Sequence, residues 1–404
     1  MTIYDIATVF VGVGAILTAI RYFTNKPKNW LLCFIQNFVG SFFIFSGYIK
    51  LIDPLGFSYK LLEYWTVFGE SISPIFNSPL FTDTALIQSC GVTLLELVLG
   101  VALIMGWRVR ITTLLILGMI LFFTFLTFYT AYFNKVTDCG CFGDFMHLKP
   151  WETFGKDIIL TIIIFPLFIF NKKITGLLKN NKWSWQSVLL ATLVFGGLQY
   201  YCYAHLPVHD FRAYKPGTDI CKDKVLPEGA KEDIYETKFY YINKKNAEVK
   251  EFSLSQVSIP MKDTATWKFM DRKDILIQEG DHPPIHDFVL TDDSGQDVTD
   301  SLLAIKGYKV FIITYDVAKS NSTNYNKINA LYEACKAKQI PFYGLAGGAG
   351  VNEFMAKNSV QFPVLSCDGT QLKTMIRSNP GIILMKDCTV DRMWHENDIP
   401  SKIN

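Results

Sequence analysis

Six apolar runs dominate the first half of the chain, at roughly residues 3–20, 31–52, 85–107, 111–133, 157–170 and 185–203. Most approach the ~20 residues a helix needs to cross a bilayer, and the fifth, the shortest, is expected to start a little before Asp157. Beyond Tyr203 the pattern shortens. Residues 238–242 and 249–254 alternate around Asn243-Lys244-Lys245-Asn246 and predict a β-hairpin. An apolar strand at 310–314 is followed by a helical stretch at 326–338, a strand at 341–345, a helix at 351–359 and a strand at 362–366. A short helix at 372–377 and a hairpin of 382–385 with 390–394 close the chain. The fold class expected is therefore a multi-pass α-helical membrane bundle of about six spans joined to an α/β domain.

Charge adds a topology. The loop with Arg21, Lys26 and Lys28, the turn Trp107-Arg108-Val109-Arg110 and the loop with Lys172, Lys173, Lys179 and Lys182 are basic and hold no acid. They are expected on the cytoplasmic side. The loop carrying Asp53, Glu63, Glu70 and Asp83 falls outside, with the loop around Cys139, both termini and the whole C-terminal half. This places the protein in a bacterial inner membrane, with the C-terminal domain periplasmic. Residues 1–19 lack the basic start and small-residue cleavage site of a signal peptide, so they are read as a retained first helix. The net charge of +2 gives no case for nucleic-acid binding. Nine cysteines, an odd number, cannot all pair within one chain.

The chemistry concentrates in Thr137-Asp138-Cys139-Gly140-Cys141-Phe142-Gly143-Asp144. A disulfide between Cys139 and Cys141 would close a very small ring, helped by Gly140, which reaches positive φ freely. Such small-ring disulfides are strained and easily reduced. In an oxidising compartment the pair should cycle or stay bonded. Asp138 and Asp144 flank it. Glu96 is the one acid well inside a span; proton relay and a structural, hydrogen-bonded role both fit it. Gly91, Gly100 and Gly106 on the same segment suit close helix contacts.

Phe45-Ser46-Gly47-Tyr48-Ile49-Lys50-Leu51-Ile52-Asp53-Pro54, Glu96-Leu97-Val98-Leu99-Gly100 and Asp138-Cys139-Gly140-Cys141-Phe142-Gly143-Asp144 together resemble the MauE branch of the DoxX-like membrane proteins, over about residues 31–170. The resemblance implies a four-helix membrane core, here with an added first and sixth helix. It also implies thiol chemistry in the maturation of disulfide-rich exported proteins, alongside a separate thioredoxin-like partner. Nothing else in the chain points to methylamine. Domains are accordingly expected at 1–30 (extra helix and loop), 31–171 (MauE/DoxX-like), 172–204 (sixth helix), 205–235 (linker) and 236–404.

The run His205-Leu206-Pro207-Val208-His209-Asp210-Phe211-Arg212-Ala213-Tyr214-Lys215-Pro216-Gly217 resembles a segment of fused DoxX-type proteins of Bacteroidetes. Pro207 argues against a helix that would present His205 and His209 together to a metal, so no metal site is expected there. The element order after residue 283, with Asn379-Pro380 (an X-Pro step of the kind that adopts cis) before the penultimate strand, resembles a thioredoxin-like domain of the peroxiredoxin type. Where that family carries Cys-x-x-Cys, this chain reads Asp316-Val317-Ala318-Lys319-Ser320-Asn321-Ser322. The domain is then a binding module, with Pro380 and Cys367 as candidate client-contact residues. Cys335 shares a helix face with Ile328 and Leu331 and is expected in the core. Cys202 and Cys221 flank the linker as a candidate structural disulfide, and Cys33 and Cys90 are packing residues.

Three functions stay open. One is a thiol–disulfide oxidoreductase working through Cys139 and Cys141 on a periplasmic or exported protein client, exchanging electrons with a membrane quinone for which no dedicated site is visible. Another is a non-enzymatic assembly module whose C-terminal domain binds a partner. The third is a soft-metal site of Cys139, Cys141, Met146 and His147, a Cu(I)-compatible ligand set.

Overall fold

The computed structural model describes residues 3–403 apart from 137–139, 147, 179–180, 227–228, 232, 279 and 287. The first half builds α1 (Ile3–Thr24), α2 (Trp30–Leu51), α3 (Pro54–Ser71), the single turn α4 (Pro79–Thr82), α5 (Ala85–Met105), α6 (Val109–Phe133), α7 (Pro150–Ile169) and α8 (Asn181–Ala204). Among the described residues, five helices (α1, α2, α5, α6 and α8) are long and apolar enough to cross a membrane. The remaining expected span is present as α7, which starts at Pro150, well before Asp157, but Glu152, Lys156 and Asp157 interrupt its apolar run. Asp157 is fully buried, pairs with Lys156 and accepts a hydrogen bond from Thr127.

Residues 54–71 read as part of an acidic outer loop, yet they form α3. The Asp53 side chain caps its N-terminus by accepting the Gly56 N–H at 2.9 Å, and Pro54 occupies the first turn, where no N–H is missed. Tyr64, Trp65 and Phe68 bury one face of α3 against Phe76, Phe81 and Tyr129.

Helices α2 and α5 form the tight axis of the bundle. A Cβ on Gly100 would lie 2.6 Å from the Gly40 carbonyl oxygen, and one on Gly47 would lie 2.8 Å from the Leu97 nitrogen. Small residues let these backbones touch. Gly91 plays no such part, since nothing lies within 4 Å of a Cβ there. Gly106 ends α5 at φ 70°, a conformation that glycine adopts without cost.

The three basic loops meet at one end of the bundle. Arg21 is buried and donates to the carbonyls of Ile104 (2.9 Å) and Thr175, Asn25 donates to Gly176 (2.9 Å), and Ser184 to Met105 (3.0 Å). The cysteine loop and Asp53 lie at the other end, where α2 finishes.

The chain then passes through α9 (Ile220–Asp223) into β1 (Ile234–Asn243), β2 (Val249–Ser253), α10 (Ser258–Lys262) and β3 (Trp267–Gln278), an antiparallel sheet of order β2-β1-β3. The hairpin was legible, whereas β3 was not expected. After α11 (Thr299–Ala304) come β4 (Tyr308–Thr314), α12 (Tyr325–Ala337), β5 (Phe342–Ala346), α13 (Val351–Lys357), β6 (Val364–Ser366), α14 (Gly369–Met375), β7 (Gly381–Lys386) and β8 (Thr389–His395). The second sheet has order β6-β5-β4-β7-β8, with β4, β5 and β6 parallel and the last hairpin antiparallel. Alternation along β4 sends Phe311 and Ile313 into one core and Val310 and Ile312 into the other. Cys335 is buried in the second core as expected.

The disulfide differs from the expectation. Cys221 is bonded to Cys388 in the β7–β8 turn, 167 residues away, and not to Cys202. Cys202 is buried beside Leu51, Ile52 and Leu97 on the bundle, while α9 lies along the C-terminal domain, where the Gly217 N–H donates to Val390 and the Ile220 N–H to Cys388. The residues after the last membrane helix are thus part of the C-terminal domain's surface.

Gly100→Ala should lower the thermal stability of the detergent-solubilised protein by about 1–3 kcal/mol, the usual cost of overpacking a close contact. Gly91→Ala should leave it within experimental scatter. Paired melting curves check both.

Candidate functional site

The polypeptide from Gly140 to Phe145 is pinned from three directions. Gly140 stands at φ 63°, and an added Cβ would lie 3.0 Å from Lys60 Cγ. Phe142 is buried in the bundle, edge-on to Phe42 at 5.9 Å, with the Lys156 ammonium 5.5 Å above its ring. Phe145 packs edge-on against Phe45 of α2 and Phe211 of the linker, at 5.5 and 5.0 Å. Cys141 lies half-buried between these anchors. Cys139, Asp138 and His147 fall outside the described residues.

From below, the loop is held by a charge. Lys50, in the last turn of α2, forms an ion pair with Glu96 of α5 at 2.7 Å, with both side chains about 2–3 % exposed. The same ammonium donates to Ser46 Oγ at 3.0 Å and to the Cys141 carbonyl at 3.3 Å, and it lies 4.9 Å from the Phe123 ring. Glu96 is therefore one half of a buried pair whose other half touches the cysteine loop. The opposing charge was visible as Lys50 at the end of the preceding apolar run, and buried membrane charges take partners.

From above, the loop is held by the C-terminal domain. Arg377 follows α14 and is buried. Its Nε donates to both Asp53 oxygens at 2.9 Å, and its terminal nitrogen reaches Asp53 at 2.9 Å and Asp144 at 3.1 Å. A further N–H donates to the Lys373 carbonyl. Burial raises the Asp53 carboxyl's pKa, but the Arg377 charge and hydrogen bonds outweigh that and hold it below the usual range. On Arg377 burial acts to lower the pKa, and the two carboxylates reverse the sign. Tyr59 of α3 lies 5.7 Å below the guanidinium and 6.5 Å from the Tyr315 ring. Nothing in the sequence marked Arg377.

The remaining candidates separate. Asn379-Pro380 is cis; Asn379 donates to the Asp316 carbonyl at 2.7 Å and accepts from the Asn321 N–H at 3.2 Å, so the proline loop and the 316–322 loop are neighbours. Pro380 is buried. Cys367 is a core residue and not a client-facing thiol: it is 6 % exposed, and burial, then the Asp368 charge, push its thiol up to about 12. His205 contacts Asp398 at 2.8 Å and His209 contacts the Tyr48 hydroxyl at 2.7 Å, so the two imidazoles serve different elements. Among the described residues the group with metal-ligand spacing is Asp219, Cys221 and Cys388, and its two sulfurs are bonded to each other.

Between the bundle and the C-terminal domain lies a cavity of about 740 Å3 bordered by Lys50, Gly140, Gly143, Asp144, Lys373 and Arg377. Residues 28–170, which contain the cysteine loop and the Lys50–Glu96 pair, match the family described as methylamine utilisation protein MauE. This segment is a MauE family domain. Residues 235–279, the sheet β2-β1-β3, match a domain of unknown function, DUF8463. No curated protein and no solved structure matches the chain.

Two substitution series test how the loop of the MauE domain is held. Lys50→Met and Glu96→Gln should each cost about 3–5 kcal/mol by stranding a buried charge, and Lys50→Met combined with Glu96→Leu should cost less than either. Unfolding of the four proteins in one detergent gives the comparison. Arg377→Met removes the guanidinium that Asp53 and Asp144 share, so hydrogen exchange in residues 140–146 and 369–377 should rise well above that of the native chain.

Proposed function

We propose that the protein is an inner-membrane thiol–disulfide oxidoreductase whose Cys139–Cys141 pair oxidises dithiols of exported proteins. The observation that carries this reading is the double hold on the cysteine loop: a buried Lys50–Glu96 pair beneath it, Arg377 of the second domain above it, and an open chamber beside it. A loop with a structural role alone would need no chamber at its glycines, Gly140 and Gly143. The small ring of a Cys139–Cys141 disulfide makes it a good oxidant. In one turnover two client thiols lose two electrons and two protons, the pair gains them, and a membrane quinone takes them from the pair to become a quinol.

The C-terminal domain is read as thioredoxin-like on its strand order and on the Pro380 loop lying beside residues 316–322. That face is turned to the MauE domain, with Tyr315 on Tyr59 and Arg377 on Asp53. Lacking cysteine at 316–322, it acts as a fixed cover. A periplasmic position for the loop and this domain is supported by the basic loops gathered at the opposite end of the bundle and by the Cys221–Cys388 disulfide, a bond of oxidising compartments. Methylamine chemistry is not carried over.

A second reading, an assembly module, is favoured by the solvent-exposed Phe269, Met270, Ile275 and Ile277 of β3. Rapid acid trapping and alkylation of thiols in intact cells separates the two. Redox cycling predicts that the Cys139–Cys141 pair shifts between oxidised and reduced with quinone supply. A pair whose state never changes, together with full complementation by the Cys139→Ser/Cys141→Ser protein, removes the oxidoreductase reading.

A further inference from the structure

Strand β3 leaves one edge of the three-stranded sheet uncovered. We infer that this edge pairs antiparallel with β3 of a second copy of the chain, around a two-fold axis at Lys273, so that the two sheets join into one of order β2-β1-β3-β3-β1-β2. The inference stands apart from the redox reading. β3 runs for 12 residues, Trp267–Gln278, on the outside of the sheet, and among the described residues no strand covers its other side. The opposite edge, β2, has only 5 residues. A long uncovered edge presents a row of N–H and C=O groups ready to pair, and β3 contains no proline to interrupt that row.

Backbone direction limits the register. Asn243 of β1 donates its N–H to Glu248, toward β2; by alternation Phe239 faces β2 as well, so Arg272 opposite it makes no backbone bond to β1. The Arg272 N–H instead donates to the Asp271 side chain at 2.8 Å. Arg272 and Asp274 therefore carry the outward backbone groups, within the regular stretch 271–276 between two irregularities of the β1–β3 ladder. An axis at Lys273 sets Arg272 opposite Asp274 of the copy, twice, in pairs that exchange both backbone bonds. Arg272 already reaches Asp274 of its own strand at 2.9 Å, so the four side chains close into a ring of alternating charge on one face. The two Lys273 side chains meet at the axis on the other face, but each is drawn back over the Tyr240 ring of β1, 5.5 Å from its centroid.

An edge guarded by lysines repels a copy of itself. The run Asp271-Arg272-Lys273-Asp274 instead holds two charges of each sign, ordered so that an antiparallel copy meets base with acid. Exposed apolar side chains lie toward both ends, Phe269 and Met270 at one and Ile275 and Ile277 at the other. Antiparallel pairing brings each end alongside the opposite end of the copy, an aromatic-to-β-branched match. Such an interface is isologous and closes after two chains. Helices that cross one membrane hold the copies in a common layer, which raises the effective concentration of the two edges.

The experiment uses the full chain, in membranes and in detergent. Opposed residues of a non-hydrogen-bonded pair lie about 4.5 Å apart, within reach of a disulfide, so Lys273→Cys should give a two-chain band under mild oxidation. Gln278→Cys should give none above the background of the native chain, because positions five residues from the axis on either side lie about 34 Å apart. In light scattering the native protein should run as two chains. Arg272→Asp and Asp274→Arg each set like charges opposite one another and should each weaken the dimer at least about tenfold. Mixed together, these two variants should pair again, since the acidic edge of one meets the basic edge of the other. The chain carrying both exchanges should dimerise like the native one. A monomeric native chain, equal cross-linking at both cysteine positions, a Lys273→Cys adduct to a different protein in place of a copy, single variants that stay dimeric, or variants that do not recover on mixing would overturn the inference.

Discussion

A guanidinium shared between two carboxylates joins the halves of this protein. Arg377 comes from the C-terminal domain, Asp53 from the corner between α2 and α3, and Asp144 from the loop that carries the cysteines. Desolvating three charges is costly, and the arrangement is favourable only because the fork-shaped donor meets Asp53 at two nitrogens and Asp144 at one of them. The consequence is geometric. A shift of either the domain or the loop would part the Arg377 charge from a carboxylate it now meets, so this side chain ties the C-terminal domain to the loop.

A second pair, Lys50 with Glu96, sets the same loop from the membrane side. Its position depends on how closely α2 and α5 approach, which in turn depends on Gly40, Gly47 and Gly100. A chain of constraints therefore runs from the packing of two helices to an ammonium, and from that ammonium to the carbonyl of Cys141. Phe142 and Phe145 complete the restraint by filling apolar space on either side of the charges.

Much of this was legible from sequence. The apolar runs marked the helices of the bundle, since bilayer thickness leaves few alternatives for a long uncharged stretch. The strands of the C-terminal sheet were readable from β4 onward. Other features were out of reach. Helix α3 is rich in aromatic residues and carries Gly56 and Gly69, so its period was masked until its aromatic partners Phe76, Phe81 and Tyr129 were known. Strand β3 mixes charged residues with exposed apolar ones, so no buried stripe betrays it. The glycine at 91 looked like a contact residue because composition does not reveal which side of a helix faces a neighbour. Arg377 is an ordinary basic residue until the fold brings it against two acids from distant parts of the chain. The Cys221–Cys388 bond was equally hidden, as pairing across such a separation depends on topology and not on spacing.

That bond carries an implication of its own. It clasps the segment leaving the last membrane helix to the final hairpin, so the clasp cannot close until nearly the entire chain has been made. A protein read as a maker of disulfides thus begins life as a recipient of one, and the first copies in a cell owe their maturity to a donor other than themselves.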